Sequence, residues 1–395
     1  RLVGSEMCIR DRADNMRKIK VGVIGLGFIG KQHVEALRRL PYVEIVAGSD
    51  SNPAMRDWCE ENGIGKYYAD YKEMLKNEEM DAVHNCTPNN FHFAVSCEIL
   101  EAGYHVYSEK PLTINSEEGN KLVELARKKG LKTAVNFNYR NNLMVQEMQQ
   151  RIKNNRMGTI SHIQVEYLQD WLLYDTDFDW RVQKDKGGES RAVADIGSHC
   201  FDTIQFIMGE KIVAVYALFH KQYQRRYMAK QADTFSSQKA SGEHKGEAVP
   251  VENEDAAIIL FKLEGGMVGS INITQVCAGK KNDLQILISG TNEAYEWHQE
   301  TPANLWVGHR DSGNEIIYAG KNNLSENIRC FADLPDGHSV GWKDAFEKGF
   351  EIFYKGLLHE GEAVYESPDF TAGLYITKIV EACLKSNQTG TWQNV

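Results

Sequence analysis

The 395-residue sequence predicts an α/β protein: a doubly wound parallel sheet in its first half, a mainly antiparallel sheet with helices in its second. Three observations predict this class. β-rich runs alternate with helical patterns from Lys18 to Phe137; a glycine-rich turn follows the first of these runs; and beyond about Asn141 strands follow one another through short turns.

In chain order, the first strand is Lys18 to Ile24. It leads into Gly25-Leu-Gly27-Phe28-Ile29-Gly30, and Ile29, His33, Val34, Leu37 and Leu40 then recur at helical spacing until Pro41. Tyr42 to Ala47 is a second strand that runs on to Asp50. Asn52 with Pro53 marks a helix start. Asp81 to Cys86 is a buried strand, Phe91 to Leu100 a helix closed by Gly103, and His105 to Ser108 a strand. Asn115 with Glu118 opens a helix over 116–129 that Gly130 ends, and Lys132 to Phe137 is one more strand. The second half predicts a helix over 141–154, a strand from Ile160 to Gln169, and a buried helix from Ala192 to Met208. Strands over 211–219, 254–263, 267–277, 283–289 and 293–298 follow, then helices over about 340–358 and 370–386. Residues 221–253 are polar and aperiodic and read as a long loop insertion, disordered or a lid.

Length and composition agree with a globular chain of two domains, 16–138 and 139–395. Hydrophobic residues are 42% and charged residues 25%. The net charge of -10 disfavours nucleic acid and anionic membrane surfaces as partners. Eight cysteines without a C-x-x-C pair fit a reducing compartment. Residues 1–15 read as a non-native leader before Met16, and with no targeting signal after it the expected location is cytoplasmic.

The chemistry concentrates in a few places. Gly25, Gly27 and Gly30, with Phe28 and Ile29 between them, sit between a strand and a helix, the context in which glycines let the backbone approach a pyrophosphate at a helix N-terminus. Asp50 ends the second strand twenty residues after Gly30, where an acid accepts from the ribose hydroxyls and repels a 2′-phosphate, so NAD is favoured over NADP. Arg56 is the one nearby cation that could turn toward a phosphate. Thr87, Pro88, Asn89 and His92 follow one strand, and Glu109-Lys110-Pro111 follows the next; both clusters lie beyond strand C-termini. Asp195 and His199 are four apart, on one face of a helix. Asp202 would extend that face toward a metal triad, but no further His or Cys completes a ligand pattern and no metal is expected. Asn138, Trp180 and Arg181 are candidates for the nicotinamide side of the pocket, and Arg140, Gln169, Trp171 and His309 for the substrate side.

Glu109-Lys110-Pro111, Gly187-Gly188, Asp195 and His199 together resemble the glucose-fructose oxidoreductase/inositol dehydrogenase (Gfo/Idh/MocA) family, over essentially the whole chain from Lys18. Tyr167 to Trp171, Ser190 to Asp195, Ala278 to Asn282 and Trp306 to Arg310 are similar to its levoglucosan dehydrogenase/glycoside 3-dehydrogenase branch; Glu189 departs from a pattern that often has a third glycine there. The resemblance implies a Rossmann domain and a C-terminal domain whose large open sheet makes a homodimer or homotetramer. It also implies NAD-dependent oxidation of a secondary hydroxyl, at C3, of a pyranose, glycoside or cyclitol. His199 would be the general base, Lys110 would hydrogen-bond the alcohol oxygen, and Asp195 would orient the sugar or polarise His199. Two rival readings remain: an NAD-dependent glycosidase that oxidises C3 transiently and eliminates, and a non-catalytic sugar or dinucleotide sensor.

Overall fold

A computed structural model describes residues 17–228, 246–358 and 366–395. The leader reading of 1–15, the start at Met16 and the middle of the 221–253 excursion lie outside the described residues.

The described chain divides into two units. The first contains residues up to Leu112, Asn120–Asn136 and Phe346–Thr371; the second contains Thr113–Gly119, Phe137–Ala345 and Ala372–Val395. A single cut at 138/139 therefore misses a return, since 346–371 belongs with the N-terminal residues.

In the first unit, β1 (Ile19–Ile24), β2 (Val43–Ser49), β3 (Lys66–Tyr68), β4 (Ala82–Asn85), β5 (His105–Ser108) and β6 (Thr133–Val135) form one parallel sheet in the order β3-β2-β1-β4-β5-β6. Between them run α1 (Phe28–Leu37), α2 (Met55–Glu61), α3 (Tyr71–Asn77), α4 (His92–Glu101) and α5 (Ser116–Lys129). Val21, Val23, Val83 and Val106 are fully buried in β1, β4 and β5, as strands covered on both faces must be. The strand order reverses between β1 and β4, and the crevice beyond the C-terminal ends of such a pair is where open α/β sheets bind ligands. Sequence reading overlooked β3 and α3, which are short and weakly patterned.

The second unit is built on a nine-stranded sheet of order β16-β15-β14-β13-β7-β12-β11-β8-β17. Its strands are β7 (Ile160–Leu168), β8 (Ile212–His220), β11 (Ala256–Leu263), β12 (Val268–Thr274), β13 (Asp283–Gly290), β14 (Ala294–His298), β15 (Asn304–Gly308), β16 (Glu315–Tyr318) and β17 (Gln393–Asn394). All pairs are antiparallel except β7 with β12. β15, β16 and β17 were not expected. Ala257, Ile259, Phe261 and Leu263 of β11 are buried, while Ile258 and Leu260 alternate to the other face, exposed. Helices α6 (Leu143–Lys153) and α7 (Ser198–Met208) pack on each other. Two long helices near the C-terminus are α8 (Trp342–Leu358) and α9 (Phe370–Thr389).

The 221–253 excursion is not all loop. Its described flanks form an antiparallel hairpin, β9 (Arg225–Met228) with β10 (Glu247–Pro250). Val251 packs with Leu172, Val182 and Phe178, and Arg226 Nη1 donates to the carbonyls of Tyr174 and Asp177. No helix among the described residues is long and apolar enough to cross a membrane.

Candidate active site

The candidate nucleotide site of the first unit begins at the β1–α1 turn. Gly25 has φ +87°, and a Cβ there would lie 2.5 Å from the carbonyl oxygen of Cys86. A Cβ on Gly30 would lie 1.8 Å from the Gly25 oxygen. These two glycines are required by the fold itself. Gly27 is different: nothing lies within 4 Å of the place its Cβ would take, and it is exposed at the start of α1. That opening is the space a pyrophosphate needs against the backbone N–H groups of the helix start. Asp50 is set beside it, with Oδ2 accepting Leu26 N–H at 2.7 Å and Oδ1 accepting Asn52 N–H at 2.8 Å. Each oxygen keeps a lone pair for a ribose hydroxyl. Arg56 is exposed and lies over the Tyr67 ring, 5.4 Å from its centroid. The residues present fit a dinucleotide: the Gly27–Ile29 backbone for its phosphates and Asp50 for its ribose.

The turns after β4 and β5 are tied together by buried polar groups. Asn85 accepts from Thr87 Oγ1 (2.7 Å) and donates to Ser96 Oγ (2.9 Å). His92 is almost wholly buried, with one ring nitrogen 2.7 Å from the carbonyl of Pro111 and the other 2.8 Å from that of Thr87. Both ring nitrogens of His92 thus join the two turns. Glu109 is also buried. Its Oε1 contacts His33 Nε2 (2.9 Å) and accepts from Asn136 Nδ2 (2.5 Å), and its Oε2 accepts the backbone N–H of Lys110 (3.2 Å). Burial alone would raise the Glu109 pKa, but the bonds and charge of His33, with Asn136 and Lys110, bring it down to about 2. Glu109 therefore holds the backbone at Lys110 in place.

The chain of contacts continues inward. His33 Nδ1 is 2.7 Å from His84 Nδ1, and His84 Nε2 is 2.6 Å from the Tyr354 hydroxyl. Burial and the neighbouring His33 hold the His84 pKa well below its usual value. Sequence reading took His33 only as a member of an apolar helix face. The signal available was two buried histidines on elements flanking a glutamate turn.

A separate polar cluster lies in the second unit. Val193–Gly197 form a single turn of π-helix before α7, so Asp195 and His199 are not on one regular α-helix as their spacing predicted. Gly197 packs on Ile273 of β12. Asp195 is buried; its Oδ2 accepts from Gln275 Nε2 at 3.0 Å, and its Oδ1 lies 3.6 Å from Arg181 Nε. His199 is buried among rings: Tyr139 at 4.7 Å, Tyr167 at 6.2 Å and Phe137 at 6.3 Å between centroids. Behind it Asn282 Nδ2 donates to Tyr139 Oη (2.9 Å), the two tyrosine hydroxyls are 2.8 Å apart, and Tyr167 donates to Asn282 Oδ1 (2.7 Å). This closed three-membered ring fixes the wall that faces His199. Burial raises the pKa of both tyrosines, so they stay neutral hydrogen-bonding groups.

The remaining predicted residues divide. Arg181 stacks on Trp180 at 4.4 Å and pairs with Asp179 and Asp195. Among the described residues Asn138 Nδ2 is buried without a hydrogen-bond partner, as befits a group awaiting a ligand. Arg140 Nε donates to Asp202 Oδ2 at 2.8 Å and its Nη2 to Oδ1, and its guanidinium lies over Phe206, so Arg140 is held in a buried ion pair. Gln169 is buried and donates to Asn282 Oδ1 at 3.0 Å, bracing the tyrosine ring. Trp171 is half-buried after β7. His309 is in the β15–β16 turn, 3.5 Å from Glu315, four strand places from β12. Pro88 and Asn89 lead into α4, and Phe28 is half-exposed at the start of α1. Gln275, Tyr139, Tyr167 and Asn282 were not singled out by role.

Comparison with known proteins follows the same division. A family model described as "Oxidoreductase family, NAD-binding Rossmann fold" matches residues 19–137, and one described as "GFO/IDH/MocA C-terminal domain" matches 145–296. Levoglucosan dehydrogenase of Pseudarthrobacter phenanthrenivorans is 25% identical over 398 residues, covering 96% of this chain and 99% of that protein. A structure of levoglucosan dehydrogenase in complex with NADH and levoglucosan is 25% identical with TM-score 0.85, covering 96% of this chain and 99% of its own. An oxidoreductase domain protein from Kribbella flavida is 27% identical with TM-score 0.85, covering 96% of this chain and all (100%) of its own.

Proposed function

Because the chain belongs to the GFO/IDH/MocA oxidoreductase family, we propose that it oxidises a secondary hydroxyl, at C3, of a pyranose, glycoside or cyclitol with NAD. The observation that carries the reading is that one short stretch holds both groups: the buried Asp195 carboxylate, clamped by Gln275 and Arg181, and four residues on the His199 imidazole, walled by tyrosines. The similarity to levoglucosan dehydrogenase over nearly the whole chain supports a carbohydrate substrate.

The roles follow from charge. The carbinol C–H leaves with its electron pair, the O–H proton leaves without one, and a carbonyl remains. NAD, when bound, supplies the hydride acceptor. His199 takes the hydroxyl proton, an imidazole being matched to that transfer near neutral pH. Lys110 donates a hydrogen bond to the same oxygen and favours its alkoxide character. Asp195 holds the sugar hydroxyls or the His199 ring in register. In this assignment Arg181 and Trp180 belong on the sugar side.

The test is paired. His199→Ala and Lys110→Ala each lower kcat with a sugar substrate by about 10²–10⁴-fold, while NAD binding, measured by quenching of protein fluorescence, persists. Unchanged turnover in both variants refutes the assignment.

The assembly reading also has an anchor. Leu218 of β8 and Ile258 of β11 face each other in register and are 53% and 57% exposed, with Val268 and Trp392 also exposed in this unit. A second copy of the chain covering this apolar sheet face would make the proposed homodimer or homotetramer. Sedimentation velocity at assay concentration reads the state.

A further inference from the structure

We propose that three consecutive residues, Asn253, Glu254 and Asp255, are positioning residues for Asp195. The inference rests on the oxidation proposed above and adds to it the element that sets the carboxylate. All three side chains are buried, none more than 4% exposed.

Each reaches Asp195 by its own route. Asn253 Nδ2 donates to the carbonyl of Arg181 at 3.0 Å, and Arg181 is the cation beside Asp195 Oδ1. Glu254 Oε1 accepts from Ser190 Oγ (2.7 Å), Arg191 N (3.0 Å) and Val193 N (2.9 Å), the opening of the turn that carries Asp195. Asp255 acts through its carbonyl, which accepts Gln275 N–H at 3.0 Å; the side chain of Gln275 then donates to Asp195 Oδ2.

The Asp255 carboxylate locks the same element to the hairpin. It accepts from Arg191 Nη2, from Arg226 Nη2 at 2.7 Å and from Gln222 N at 2.7 Å, and Arg191 and Arg226 are themselves fully buried. Arg226 lies on β9, inside the excursion that interrupts the domain. Three buried polar side chains in a row at the entrance to β11 are costly to desolvate, and an apolar strand start would hold the fold at less expense. What they supply is direction: one segment fixes the helix opening, the Arg181 carbonyl and Gln275 together. Acceleration depends on such placement, and an error of about 1 Å can cost about 10²-fold.

The test uses the full chain with NAD and a sugar it oxidises. Glu254→Leu keeps an apolar side chain as far as the δ carbons and removes the acceptor, Glu254→Gln restores an acceptor oxygen, and Asn253→Ala removes the partner of the Arg181 carbonyl. Glu254→Leu and Asn253→Ala are expected to lower kcat by about 10- to 100-fold, with NAD affinity unchanged, and Glu254→Gln to recover most of the loss. Glu254→Gln as impaired as Glu254→Leu, or Asn253→Ala with unchanged kcat, overturns the proposal. If Glu254→Leu does not fold, Glu254→Gln near wild-type turnover together with impaired Asn253→Ala supports it. If the wild type reduces NAD with no polyol, the oxidation reading fails by itself. Hydrogen exchange of amides 190–199 then decides: faster in Asn253→Ala than in wild type and Glu254→Gln supports the element, equal rates overturn it.

Discussion

Replacing Glu109 by Gln should remove a pH dependence that its surroundings create. The ordinary pKa of such a carboxyl is 4.5 and in the folded chain it is about 2. At about 1.4 kcal/mol per pH unit, the difference corresponds to about 3 kcal/mol of stability for a side chain this buried. Because the folded value is the lower one, this stability is present in full above about pH 4.5, is about half lost near pH 3.3, and is gone below about pH 2. The His33 and Asn136 contacts are its source, since burial acts in the opposite direction. The assay is native-state hydrogen exchange of β5 amides, Val106 and Tyr107, between pH 5 and pH 2.5, corrected for intrinsic rates. The opening free energy of the wild type should fall more steeply than that of Glu109→Gln, by about 2 kcal/mol across that interval. Parallel slopes would mean that Glu109 titrates alike in folded and unfolded chains and that its contacts contribute no such stability.

Other outcomes follow from the same geometry. Gly27→Ala should leave stability within about 1 kcal/mol while weakening NAD, because its Cβ enters open space over the helix start; Gly30→Ala should fail at the level of folding, since its Cβ would meet the Gly25 carbonyl. Thermal melting and NAD titration separate the two. Asp50→Ala should weaken NAD and narrow the preference over NADP, read as the ratio of the two dissociation constants; an unmoved ratio removes Asp50 from the ribose. Arg140→Ala should act on stability by about 3–5 kcal/mol, by stranding the buried Asp202, and a variant that melts normally but loses sugar affinity would return Arg140 to the substrate.

The nucleotide half of the molecule was the more legible in sequence. Strand–helix alternation is a local signal, and Gly25, Gly27, Gly30 and Asp50 carry their reasons in their spacing. Legibility fell where tertiary contacts decide. β3 is three residues long and β17 two, below the length at which alternation can be counted. The π-turn at Val193–Gly197 leaves no trace in periodicity, so Asp195 and His199 were expected on one α-helical face. The ion pair of Arg140, a substrate-side candidate in the sequence, is not legible there because its partner Asp202 is sixty-two positions away. Gln275, which holds Asp195, is eighty positions from it. The flanks of the 221–253 excursion looked like loop because their order comes from Asp255 and from the carbonyls of Tyr174 and Asp177.

The proposed function rests on net oxidation of a carbohydrate hydroxyl with NAD. The most direct measurement is the stoichiometry of NADH formed to ketosugar formed, across a panel of pyranoses, glycosides and cyclitols incubated with the purified chain and NAD. NADH and carbonyl product are expected in equal amounts with at least one member of the panel. Release of sugar from a glycoside with no accumulation of NADH would contradict net oxidation and move the chain to transient oxidation and elimination.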